Sequence, residues 1–136
     1  MNRRTLIIFA LLPSLAFAHS TKIGAIAIGH SWALPSSGPE AQVMMPFVNA
    51  GETADALIGA TSPIAPRIEL QNANTAVVEF KVEPKKPFPM RAAAFHLQLF
   101  GLAKPIVAGD KFPMTLIFKN AGRIEIQIHV SERAGE

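Results

Sequence analysis

From residue 22 onward, apolar and polar positions alternate in short runs, and no stretch repeats at helical spacing. Residues 112–119 and 123–130 alternate on either side of Asn120-Ala121-Gly122, and the second run turns Ile124, Ile126 and Ile128 inward. Period-two alternation around a glycine-containing turn predicts a β-hairpin, with His129 on its opposite, solvated face. Residues 22–30 alternate Ile23, Ala25, Ala27 and Gly29 against Gly24, Ile26, Ile28 and His30, which predicts one strand with little charge on either side. Residues 41–49 are apolar but contain Pro46, which marks an edge or a bulge. Further strands are predicted at 54–60, at 67–71 with Ile68 and Leu70 inward, and at 75–82 with Val78, Phe80 and Val82 on one face. Pro84, Pro87 and Pro89 interrupt any ladder before the next strand, at 95–102. About seven to nine short strands separated by turn formers imply an all-β antiparallel Greek-key sandwich or small barrel.

The first eighteen residues break this pattern. Arg3 and Arg4 precede an apolar run, and Ala16-Phe17-Ala18 ends it. A basic start, a short apolar core and an A-x-A site form a secretory signal peptide. The run is shorter than the roughly 20 residues that span a bilayer. The expectation is a cleaved leader at 1–18, export to a periplasm, no membrane anchor after cleavage, and one domain at 19–136 beginning at His19.

Charge and composition narrow the chemistry. The whole chain carries +3, but removing Arg3 and Arg4 leaves 11 Lys+Arg against 10 Asp+Glu, a balance of +1. No basic patch with interleaved aromatics remains to suit nucleic acid. There is no cysteine, so stability rests on packing, and thiolate metal sites and thiol nucleophiles are excluded. The serines lack a nucleophile-elbow context and there is no glycine-rich phosphate loop. A non-enzymatic role is expected.

Several stretches, in order, carry a likeness: Gly29-His30-Ser31-Trp32-Ala33-Leu34-Pro35, Asn49-Ala50-Gly51-Glu52, Ala60-Thr61-Ser62-Pro63-Ile64-Ala65-Pro66-Arg67-Ile68-Glu69-Leu70, Phe95-His96-Leu97-Gln98-Leu99-Phe100-Gly101-Leu102, and Pro105 onward to Gly122. The chain resembles the periplasmic copper chaperones called PCu(A)C, the DUF461 group, over nearly all of residues 19–136. The resemblance implies a cupredoxin-like β-sandwich. It also implies copper, as Cu(I), carried to the copper centre of a haem–copper oxidase by ligand exchange. The family's ligand set is two His and two Met, the last two as His-x-Met on one strand face. Thioethers are soft and suit Cu(I). Here Gln71 stands where the first His is expected, residues 75–81 hold no Met, and Gln98 stands in place of Met after His96.

Three candidate metal ligands follow. His96 is the one ligand kept, read either as a remnant ligand or as a histidine with an ordinary hydrogen-bond partner. Met90 is the thioether nearest to it in sequence. His19, if cleavage exposes it, would offer an α-amine and a ring nitrogen together to Cu(II), with His30, His96 or His129 as the opposing ring; alternatively it lies in a mobile arm. Met44 and Met45 point to opposite faces and, like Met114, are expected in the core. His30 is expected to be structural, and Trp32 to pack in the core or against the loop at 35–39. The alternative to a copper carrier is a cupredoxin-like module that binds a protein partner and no metal.

Overall fold

The computed structural model describes residues 21–132. The leader reading and His19 therefore lie outside the described residues. Thirteen short strands appear in chain order: β1 (Thr21–Ile23), β2 (Ile26–Ile28), β3 (Trp32–Ala33), β4 (Glu40–Met44), β5 (Phe47–Asn49), β6 (Asp55–Thr61), β7 (Arg67–Asn72), β8 (Thr75–Ala76), β9 (Phe80–Val82), β10 (Pro87–Phe88), β11 (Phe95–Phe100), β12 (Lys111–Phe118) and β13 (Gly122–Val130). There are more strands than the alternation suggests because three predicted runs are cut by local backbone chemistry.

The run at 22–30 folds back at Gly24, whose φ of 57° suits a residue without Cβ. It becomes the β1–β2 hairpin, with Ile23 opposite Ile26. The run at 41–49 breaks at Met45-Pro46, and its halves enter different sheets. The run at 75–82 survives only at its ends, and Val78 between them is 88% exposed, not inward. The hairpin at 112–130 matches expectation: Phe112, Met114, Leu116 and Phe118 are buried, and Ile126 and Ile128 face them.

One sheet has the order β1-β2-β5-β10 and the other the order β8-β7-β11-β4-β3-β13-β12-β6-β9. All pairings are antiparallel except the two-residue match of β3 with β13. Phenylalanines join the two layers. Phe47 and Phe88 from the small sheet stack at 5.3 Å, Phe88 stacks on Phe80 at 5.0 Å, and Phe118 meets Phe47 edge-on at 5.8 Å. Such offset and edge-on pairs add to the gain from apolar burial. Asn49, 1% exposed, donates from Nδ2 to Thr53 O at 2.8 Å and Val82 O at 3.2 Å, tying the small sheet to β9. This is the expected cupredoxin-like sandwich, all-β among the described residues.

Candidate functional site

Strand parity puts chemistry on the face of the large sheet turned away from the core. Leu97 and Leu99 of β11 are fully buried in the main cluster, so His96, Gln98 and Phe100 point the other way. Across β7 they meet Gln71, Glu69 and Arg67 in register. Across β4, Gln98 meets Gln42 and Phe100 meets Glu40. The next step of that ladder sets Met44 opposite His96. Met44 is paired in turn with Trp32, and Trp32 with His129. A row therefore runs Gln71, His96, Met44, Trp32, His129 over five neighbouring strands.

His96 is 1% exposed and Gln98 9%. A continuous chain of hydrogen bonds accounts for their burial. His96 Nδ1 lies 2.7 Å from Ala94 O, His96 Nε2 lies 2.9 Å from Gln98 Oε1, and Gln98 Nε2 donates to Glu40 Oε1 at 3.0 Å. A carbonyl only accepts, so Nδ1 carries a hydrogen. Gln98 must donate to the Glu40 carboxylate, so its oxygen is what faces Nε2; turning the amide round would set two acceptors against each other. The chain thus links Ala94 O, the His96 ring, the Gln98 amide and the Glu40 carboxylate without a break. Ala94 O also accepts from Ala73 N at 2.9 Å, and Gln42 Oε1 accepts from Ala93 N at 3.0 Å. These bonds fasten the turn at 91–94 over the histidine. As placed, His96 has no ring nitrogen open to a metal.

The second concentration of chemistry lies at the other end of the row. His30 sits between β2 and β3, where the chain crosses from one sheet to the other. Its ring stacks on His129, with centroids 5.2 Å apart and planes inclined by 26°. His129 lines a cavity of about 230 Å³ together with Thr21, Gly29, Ser31, Glu125 and Gln127. β1 runs back along β13: a Cβ on Gly24 would lie 3.5 Å from Ala121 Cβ, and Thr21 reaches the level of Glu125 and Gln127. Among the described residues no group of three or more His, Cys, Asp or Glu side chains is placed to hold a metal ion.

The family model described as "Putative lipoprotein LpqE-like" matches residues 26–130. The chain belongs to the LpqE-like family. Among solved structures, this LpqE-like chain is similar to a copper-bound PCuAC domain from PmoF2, at 26% identity and a TM-score of 0.78 over 85% of this chain and 99% of that one. It is similar also to an apo PCuAC domain from PmoF1, at 19% identity and 0.78 over 85% and 100%. The Cu(I) form of DR1885 from Deinococcus radiodurans matches at 16% identity and 0.61 over 88% and 85%. No match is found among curated proteins. The PCuAC fold is thereby shown.

The structure separates the residues singled out from the sequence. His96 lies at the centre of the closed chain of bonds, opposite Gln71 and two residues from Gln98, so the positions implied by the resemblance do form one patch. Met90 is half-buried and packs against the main core. Met45 and Met114 are core residues as expected, whereas Met44 is fully buried yet lies outside the main cluster, on the His96 face. Trp32 is half-buried on that same face, not in the core. The sequence reading did not pair His30 with His129. Their meeting depends on the parallel match of β3 with β13, and nothing local signals a contact between residues so far apart in the chain. Asp55 was also missed. It is 8% exposed and accepts from Ala56 N and Asn120 N at 2.8 Å and Ala121 N at 2.9 Å.

Proposed function

We propose that this protein is an exported copper carrier whose metal is held at the His30–His129 corner, with His19 as the third contributor. The observation that carries the reading is the stacked pair of imidazoles, of which His129 lines a cavity that Thr21 also lines. His19 is two residues before Thr21, within reach of about 7 Å of extended chain. Cleavage after Ala18 would leave it with a free α-amine. Amine and ring nitrogen of one residue chelate together, and two further rings complete an all-nitrogen set. Such a set suits Cu(II) at least as well as the Cu(I) expected from the family ligands. The likeness to a copper-bound PCuAC domain supports copper as the cargo. The carrier would act by ligand exchange at a half-open corner, making and breaking no covalent bond in its partner. By resemblance, the recipient is a copper-handling protein such as a haem–copper oxidase subunit, met in the periplasm.

A second reading places Cu(I) on His96 with Met90, favoured by the gathering of His96, Gln71 and Gln98 on one patch. It requires Nε2 to leave Gln98 and shed its hydrogen, and the Met90 thioether to leave the core. The deciding experiment titrates the protein beginning at His19 with Cu(II), and separately with Cu(I) under anaerobic conditions, each against a chromophoric chelator. Stoichiometric Cu(II) binding that His129→Ala or one added N-terminal residue abolishes, and that His96→Ala leaves intact, is the expected result. Loss with His96→Ala alone transfers the site to the second reading. No binding of either ion leaves a cupredoxin-like module that recognises a protein partner.

A further inference from the structure

The crossover at residues 29–31 carries His30 and is pinned at both ends. Gly29 N donates to Pro46 O at 2.9 Å, extending the β2–β5 ladder into the small sheet. A Cβ on Gly29 would lie 2.8 Å from Pro46 Cγ, so the close approach of backbone to ring needs glycine. On the other side, Ser31 O accepts from His129 N at 3.0 Å, extending the β3–β13 match into the large sheet. Ser31 is 5% exposed, and its Oγ donates to Gly29 O at 3.2 Å across the turn. One buried hydroxyl therefore braces the two anchors that flank His30, and one of those anchors is the backbone of His129 itself.

We infer that Ser31 is a positioning residue for the His30–His129 pair. Its hydroxyl sets the curvature of the crossover, and with it the angle and distance at which the two imidazoles meet. This rests on the copper reading for its functional consequence, while the geometric claim stands on the metal-free protein. Partners that orient metal-binding side chains without touching the metal change affinity by roughly 10- to 100-fold when removed. Ser31→Ala is small enough to be accommodated at a buried site and removes only the Oγ bond; Ser31→Thr keeps the hydroxyl.

Three measurements on the protein beginning at His19 test it. In the metal-free protein, Ser31→Ala moves the ring proton resonances of both His30 and His129, and Ser31→Thr leaves them near wild type. With Cu(II), Ser31→Ala lowers affinity by about 10-fold and alters the hyperfine splitting in the electron paramagnetic resonance spectrum, and Ser31→Thr restores both. Unchanged ring resonances in Ser31→Ala overturn the positioning role whatever happens with copper. Wild-type affinity and spectrum in Ser31→Ala, while His129→Ala loses the metal, overturn the ligand-orienting role and leave the copper reading standing. Copper retained by His129→Ala removes the corner as a site, and the role of Ser31 in metal binding falls with it.

Discussion

Removing the Asp55 carboxylate should uncouple the β12–β13 hairpin from β6. Asp55 opens β6 and reaches across to the tip of the hairpin. Its Oδ1 accepts from Ala56 N and Asn120 N at 2.8 Å, and its Oδ2 accepts from Ala121 N at 2.9 Å. The neighbouring bond from Lys119 N to Ala56 O, 2.8 Å, depends on the same docking. Asp55→Ala orphans three N–H groups in a region where the side chain is 8% exposed. A buried orphan costs about 1–3 kcal/mol. The Ala56 bond is buried and the other two are part-buried, so those two take the lower end of the range. The expected loss is about 3–4 kcal/mol in total, or roughly 12–16 °C in Tm at about 4 °C per kcal/mol for a domain of this size. Asp55→Asn can keep the two bonds at the Oδ1 position but turns an NH2 group towards Ala121 N–H, so it should lose about half as much. Urea unfolding of the three proteins measures this from the midpoints at constant slope. A loss under about 1 kcal/mol for Asp55→Ala, or equal losses for Ala and Asn, would refute the assignment of a three-bond anchor.

Three further outcomes concern the closed chain around His96. Gln98→Leu leaves Nε2 of a 1% exposed histidine without its partner and should destabilise by about 2 kcal/mol. His96→Leu combined with Gln98→Leu should cost less than the two single changes added together, because no polar atom of the pair is then left orphaned; thermal denaturation of the double-mutant cycle checks this, and strict additivity would show that the two side chains do not act as a unit. Restoring soft and nitrogen donors with Gln71→His and Gln98→Met, on positions that pair with or flank His96, should create chelator-competitive Cu(I) binding that His96→Ala removes; a double variant that binds no Cu(I) would mean the turn at 91–94 holds the patch shut.

How much of this could be read from the sequence varies with how local the cause is. The β12–β13 hairpin was legible because its alternation and its turn lie in one stretch. The split at Gly24 was not, since a glycine fits an alternating pattern as readily as it fits a turn of positive φ. Pro46 announced a break but not that the chain would change sheets there. Val78 reads as inward by parity, yet β8 ends at Ala76 and β9 begins at Phe80, so the parity of the run does not carry through. At the candidate site, the clustering of Gln71, His96 and Gln98 was legible through the resemblance, whereas the saturation of His96 came from Glu40, a residue fifty-eight positions from Gln98. Asp55 looked like any surface carboxylate because its partners are backbone groups, which leave no mark in the sequence.

The row across the large sheet constrains what copper can do here. His96 and His129 stand on β11 and β13, with β4 and β3 between them. Three strand spacings amount to about 14 Å, while a metal lies about 2 Å from each imidazole nitrogen. Met44 and half-buried Trp32 fill the interval. One ion therefore cannot draw on both histidines. The two corners must answer separately to mutation. His96 has both ring nitrogens hydrogen-bonded, with Gln71 opposite it and Gln98 beside it. His129 has a second ring stacked upon it and lines a cavity together with Thr21 of β1. On the copper reading proposed above, the donors lie at the opposite end of the same sheet face from the patch that the resemblance implies, and nitrogen donors in place of thioethers suit Cu(II) at least as well as Cu(I).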